Sequence, residues 1–314
     1  MEQNNWRLWT ALKGMAMGIA EVIPGVSGGT IAFITGIYER LINAIKAFGP
    51  QAIQGLRQDG LKGGWKAVDG NFLFFLIAGM AVGVIAGVFG ITYILEHYPP
   101  LIWAFFFGLI IASVLYMVRQ VPQWNVVNVL ALILAGALAY WITIAAPAQG
   151  TDALWFVFIS GAIAISAMIL PGISGSFMLL LMGMYTLIIP SVKEALKTFE
   201  TQSLIILVVF ALGCVLGLAV FSRILSWTFE RYRSTTLAAL TGFMLGSLNR
   251  IWPWRNVLSY RTNSRGESVP FREANVWPGS YEGDPLILGA VVCLILGFGL
   301  VFLLDRMDRK RTKA

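Results

Sequence analysis

The sequence predicts an all-α polytopic membrane protein built as two inverted-topology repeats, each a re-entrant helical hairpin followed by three transmembrane helices. Three observations predict it: a strongly apolar composition, an internal repeat, and a Pro-Gly-x-Ser-Gly motif set inside apolar sequence in both halves.

The 314 residues are 57% hydrophobic and 12% charged, with a mean hydropathy of +0.74. Soluble domains are nearer half apolar and about a quarter charged, so this chain needs lipid as solvent. Apolar stretches run over 72–95, 101–118, 126–146, 203–228 and 286–304. At about 1.5 Å per residue, each crosses or nearly crosses a hydrocarbon core of about 30 Å. The N-terminal segment, Met1 to Lys13, is polar and carries Trp6 and Trp9, which suit a membrane interface. It has no small-residue cleavage pattern, so it is read as retained. Cys214 and Cys293 lie within apolar stretches and read as packing residues; no disulfide, metal or cofactor is indicated.

A shift of 147 residues aligns 14–46 with 161–193, matching Gly14, Ala20, Pro24, Gly25, Ser27, Gly28, Gly36, Tyr38, Ile42 and Lys46 to identical residues. A shift of 134 then pairs Gly79 with Gly213, Gly83 with Gly217, Glu96 with Glu230, Tyr98 with Tyr232 and Gly108 with Gly242. The change of offset leaves extra residues in the first half, assigned to a Gly-, Lys- and Gln-rich loop at 49–70. Repeat 1 is therefore 1–148, with a hairpin at 14–47 and spans at 72–95, 101–118 and 126–146. Repeat 2 is 149–314, with a hairpin at 153–189, spans at 203–228, 236–250 and 286–304, and a long outer loop at 251–285. A hairpin plus three spans makes an odd net number of crossings, so the second half enters from the opposite side, the inverted plan of many transporters.

The net charge of +7 agrees with that topology. With both termini inside, 16 of the 23 Lys and Arg residues fall on inner segments, as the positive-inside bias requires. The basic residues lie between apolar spans rather than on one face, which argues against nucleic acid.

The first motif reads Glu21-Val-Ile-Pro24-Gly25-Val-Ser27-Gly28-Gly29-Thr30, and the second Ile169-Leu-Pro171-Gly172-Ile-Ser174-Gly175-Ser176. Proline removes a backbone donor, and glycine permits left-handed backbone angles, so a helix stops there. Ser27 or Ser174 then caps a new helix whose first N–H groups and dipole favour an anion. The apolar arms around each break are expected to be short, about 10 residues or 15 Å. Broken backbone at membrane depth is tolerated where it is buried or lines a wet cavity. The plainer alternative is that the glycines serve helix packing.

Glu21 sits three residues before Pro24 in apolar sequence. It is read either as a proton-coupling carboxylate or as a protonated group bonded to a loop. Arg223, inside the span 203–228, either snorkels to the inner face or faces a cavity and attracts an anion. Arg119 and Arg250 end the third helical segment of each half and are weaker candidates of the same kind. Glu96 and Glu230 read as interfacial anchors or helix-end pairs, and His97 as incidental.

The paired motifs resemble the signature of the PopT family of polyprenyl-phosphate transporters, and the similarity covers essentially the whole chain. The resemblance implies return of undecaprenyl phosphate from the outer to the inner leaflet of the bacterial cytoplasmic membrane, recycling the carrier of cell-wall precursors. It implies a polyprenyl phosphate partner among membrane lipids and no enzymatic step. By position, Ser27, Gly28, Gly29, Thr30, Ser174, Gly175 and Ser176 would contact the phosphate. Two alternatives remain. Membrane undecaprenyl-pyrophosphate phosphatases of the BacA type continue their Pro-Gly-x-Ser motif with Arg-Ser-Gly. Here glycine follows each serine, and no arginine or histidine is at hand to clamp and protonate a leaving group. A small-anion channel or exchanger would also use helix N-termini in inverted repeats. Oligomeric state and coupling ion are open at this stage.

Overall fold

The computed structural model describes residues 2–23, 25–262 and 268–312; Met1 and Pro24, named above, lie outside them. Thirteen α-helices are present among the described residues. The first half holds α1 Glu2–Glu21, α2 Gly28–Ile34, α3 Tyr38–Lys46, α4 Pro50–Ala67, α5 Gly70–His97, α6 Pro99–Gln120 and α7 Val126–Ile144. The second holds α8 Leu154–Ile169, α9 Gly175–Leu181, α10 Tyr185–Thr198, α11 Thr201–Arg231, α12 Arg233–Ser247 and α13 Ile287–Thr312.

Five of these elements are long and apolar enough to cross a membrane: α5, α6, α7, α11 and the stretch Ile287–Leu304 of α13. A sixth candidate is the bent pair α9–α10, whose axes meet at 118°. Large apolar side chains point outward along them, such as Phe74, Ile77 and Phe89 on α5 and Val208, Leu212 and Val215 on α11. Such a surface is stable only against hydrocarbon. The protein is a multi-pass, mainly helical membrane protein.

The repeat is visible in the element bounds. α2 and α9 start and end 147 residues apart, and α3 and α10 begin 147 apart. α5 and α11 end 134 apart, and α6 and α12 begin 134 apart. Packing follows the same correspondence, because α1 lies on α5 as α8 lies on α11, and α6 lies on α13 as α12 lies on α7. Each interface is made by glycines. A Cβ on Gly14, Gly83, Gly213 or Gly297 would collide with the facing backbone carbonyl of Leu76, Met15, Phe158 or Phe105. Lipid gives helices no hydrophobic reason to associate, so close backbone approach is what holds these pairs.

Three expectations change. The arm before the first break is the 20-residue α1, not about 10 residues, because its polar start is helical too. The arms after the breaks are instead divided, each turning after seven residues at Gly36 or Gly183, both in the left-handed region. The expected loop at 49–70 is the helical hairpin α4, reversed at Asp59 and Gly60, where Gly55 and Gly63 let the two arms touch. The segment 251–285 is not plain loop but carries a short β-hairpin on the helical fold. Strands β1 Arg255–Thr262 and β2 Ser268–Asn275 pair antiparallel. Trp252 stacks edge-on against Trp254, Trp277 and Phe107 of α6, so an aromatic cluster fixes the hairpin to the helices. α12 itself has 15 residues and continues as a 3-10 turn, Leu248–Ile251.

Candidate functional site

The two helix breaks meet. Ser27 Oγ donates to the Met168 carbonyl (2.9 Å) and accepts from the Gly29 N–H (3.0 Å), capping α2 while bonding the other half. The Gly172 N–H donates to Thr30 Oγ1 (3.0 Å), and the Tyr38 hydroxyl donates to the Ile169 carbonyl (3.1 Å). The Gly28 N–H donates to Glu21 Oε1 (2.7 Å), so the carboxylate satisfies one of the orphan donors at the start of α2. Gly29 has no room for a Cβ, which would collide with the Ile169 carbonyl. Ser27, Gly28, Gly29 and Thr30 are thus buried and bonded within the protein, joining the halves rather than lining open space.

The second motif is more open. Ser174 Oγ and Ser176 Oγ lie 2.8 Å apart, with Ser174 buried and Ser176 exposed. Gly172 and Ser174 line a void of about 10 Å³ with Gly25, Thr143, Ser247 and Arg250. That space holds no more than about one water. Two larger spaces share its walls. Through Thr143, Phe177 and Arg250 it adjoins a polar cavity of about 270 Å³ bounded by Arg255, Arg272, Glu273 and Asn275 of the β-hairpin. Through Ile142 and Ile173 it adjoins an apolar groove of about 440 Å³ between α7, α8, α11 and α12.

Arg250 stands at the junction. Its Cγ passes the position a Cβ would take on Gly25, at 2.9 Å, and Gly25 has a φ of +88°. That residue must therefore be glycine for both backbone and space. The guanidinium lies 5.0 Å from the Phe177 ring centroid, and its Nη1 donates to Glu273 Oε2 at 3.0 Å. The buried Nε has no hydrogen-bond partner among the described residues. Glu273 Oε2 also accepts from Arg255 Nη1 (2.9 Å), and Arg255 stacks on Trp103 at 4.2 Å. Burial pushes the Arg255 guanidinium down to about 10, against the opposing charge of Glu273, and it stays cationic at neutral pH. Two cations sharing one carboxylate leave the cavity positive and suited to an anion.

Arg223 and Arg119, the other arginine candidates from sequence, are elsewhere. Arg223 Nη1 donates to the Ala219 carbonyl (2.7 Å) and Nη2 to Phe48 (3.4 Å), which ties α11 to the end of α3. Arg119 is exposed in the last turn of α6. Glu230 accepts from Lys46 (2.9 Å), a helix-end pair as expected. From sequence Arg250 is only a weaker anion-attracting candidate, equal to Arg119. The signal that could have raised it is the small residue Ser247 one turn before it, which lies against Gly172 at the second break. Glu273 and Arg255 carried no signal without the hairpin.

A profile of the undecaprenyl phosphate translocase-like family matches residues 17–269. A polyprenyl-phosphate transporter of Vibrio cholerae is 46% identical over 300 residues, covering 92% of this chain and 95% of the relative. One from Staphylococcus aureus is 32% identical over 267 residues, covering 81% and 88%. No solved structure matches. The match to both motifs and to the helices around them shows that the chain belongs to the undecaprenyl phosphate translocase-like family, a family of transporters and not of enzymes.

Proposed function

We propose that this protein carries undecaprenyl phosphate from the outer to the inner leaflet of the bacterial cytoplasmic membrane. One observation carries the reading: the void at the second motif shares lining residues on one side with an arginine-lined polar cavity and on the other with an apolar groove. An amphipathic anion with one charged head and a long apolar tail fits both at once. Arg250 Nε would bind the phosphate together with Ser174 and Ser176, and the head would displace Glu273 from the arginine pair. Ser27, Gly28, Gly29 and Thr30 would act behind it, holding the second loop in place. The names of both relatives support this substrate class.

The halves are read as inverted repeats with both termini cytoplasmic and the β-hairpin outside, supported by the charge bias and the repeated helix pairing. Glu21, bonded to the Gly28 N–H at the joint, is the candidate for proton coupling. A small-anion channel would leave the apolar groove without a role. Liposomes containing the purified protein and labelled undecaprenyl phosphate test the reading. Leaflet exchange should exceed that of protein-free liposomes, and equal rates would remove the proposal.

A further inference from the structure

Helices α3 and α10 are repeat mates, and so are α11 and α5, but only one of the two cross-half contacts they could make is formed. On α3, Lys46 Nζ donates to Glu230 Oε1 and Ser226 Oγ of α11, both at 2.9 Å. Ser226 Oγ donates to Asn43 Oδ1 of α3 at 3.0 Å. Arg233, at the start of α12, holds Glu39 of α3 through both terminal nitrogens, at 2.8 and 2.7 Å. These bonds all run between the halves, and they enclose a void of about 120 Å³ walled by buried Ile42 and Phe229. The mate of α3, α10, sits at the far end of the 31-residue α11, where Ser203 donates to Glu194 at 2.9 Å. There it packs on α11 of its own half, and among the described residues it makes no comparable contact with α5. The sequence nevertheless repeats the chemistry at that end: Lys193 is the mate of Lys46, Glu96 of Glu230, and Thr92 of Ser226. Arg233 begins α12 and Arg250 lies in the 3-10 turn that ends it. The closed contact and the arginine-lined cavity are thus at opposite ends of a helix about 22 Å long.

We propose that α3 and α10 are the two gates of the transporter. The pairs Lys46–Glu230 and Arg233–Glu39 close the end away from the arginine-lined cavity; in the alternate state they part, α10 packs on α5, and Lys193 pairs with Glu96. The inference rests on the transport function proposed above. Three features carry it. The bonds of α3 cross between the halves, so the halves cannot rock apart at that end without breaking them. The repeat supplies the unformed contact with the same Lys, Glu and hydroxyl residues. The formed pairs are also exposed, Lys46 by 31% and Glu230 by 65%, and water weakens such pairs enough for them to open and re-form. Arg233 and Glu39 have Pro99 and Thr186 as mates, so closure by α3 has one ion pair more than closure by α10.

Cross-linking tests the gates in the full-length protein in liposomes, with Cys214 and Cys293 changed to alanine. Lys46→Cys with Glu230→Cys should be joined by a short bismaleimide, and the joined protein should transfer labelled undecaprenyl phosphate at least about tenfold more slowly. Lys193→Cys with Glu96→Cys should be joined as well, through the alternate state. Its yield should rise about two- to fivefold when Glu39→Gln removes the Arg233 pair. Where a cysteine pair fails to fold, charge exchange takes its place. Lys46→Glu should expose the buried position of Ile42→Cys to a water-soluble maleimide, and adding Glu230→Lys should return the labelling to its starting level. The gates are overturned by a transporting protein with no α10–α5 product, by a yield indifferent to Glu39→Gln, by normal transfer in the joined α3–α11 protein, or by Ile42→Cys labelling that ignores both charge changes. A wild type that moves no lipid would instead remove the transport function, while the yields still report whether the two contacts alternate.

Discussion

Arg250→Gln is the most direct test of the phosphate site. The substitution keeps most of the side chain's length against Phe177 but removes the charge and the unpartnered Nε donor. Folding should tolerate it, because Glu273 keeps Arg255 at 2.9 Å and the aromatic cluster around Trp252 still fixes the hairpin. A hydrogen bond to a charged group contributes about 1.5–3 kcal/mol. At about 1.4 kcal/mol per tenfold, loss of that bond should raise the KM for undecaprenyl phosphate by about 10- to 100-fold. The assay is initial rate of leaflet transfer in liposomes against lipid concentration, with elution volume in detergent as the check on folding. Arg119→Gln and Arg223→Gln are the controls, since one is exposed and the other is bonded to the carbonyls of Ala219 and Phe48. The reasoning fails if folded Arg250→Gln keeps a KM within about twofold of wild type, or if either control matches its loss.

Three further outcomes follow from the joint between the halves. Thr30→Val leaves the buried Gly172 N–H without its acceptor and should destabilise the protein by about 1–3 kcal/mol, read as a lower Tm in detergent. Gly29→Ala drives a methyl group into the Ile169 carbonyl and should cost about 1–3 kcal/mol, with transport falling alongside the Tm. Glu21→Gln keeps an acceptor for the Gly28 N–H but cannot exchange a proton, so the Tm should hold while transfer loses its response to a pH gradient. A Glu21→Gln variant that still responds as the wild type does would exclude coupling through that group.

The spans were legible because lipid demands long apolar runs, and α5, α6, α7, α11 and α13 sit where those runs predicted. The repeat was legible in part because Gly14, Gly79, Gly83 and Gly108 and their repeat mates are glycines that let helix backbones touch. The α4 hairpin was not, because its polar composition gives no apolar period, and two crossing glycines hold its arms together. The second-half loop hid a strand pair for a similar reason. Its ladder depends on Trp252, Trp254 and Trp277 packing together, and aromatic residues at such spacing read equally well as interface anchors. Motif chemistry was half legible. Helix breaks were expected at Ser27 and Ser174, but nothing in one-dimensional order says that Ser27 spends its hydroxyl on Met168, or that Arg250 slides past Gly25.

The bonds from Ser27 to Met168 and from Thr30 to Gly172 have a mechanical consequence. They fasten the two broken loops to each other in a small, buried region of backbone, between the helix pairs α6–α13 and α7–α12 that also join the halves. Such a joint resists separation and sliding of the two loops. Any rocking of one half against the other then displaces the distant helix ends far more than the void at the motifs. The joint at the motifs would keep its shape through a transport cycle, while the mouth of the apolar groove opens and closes.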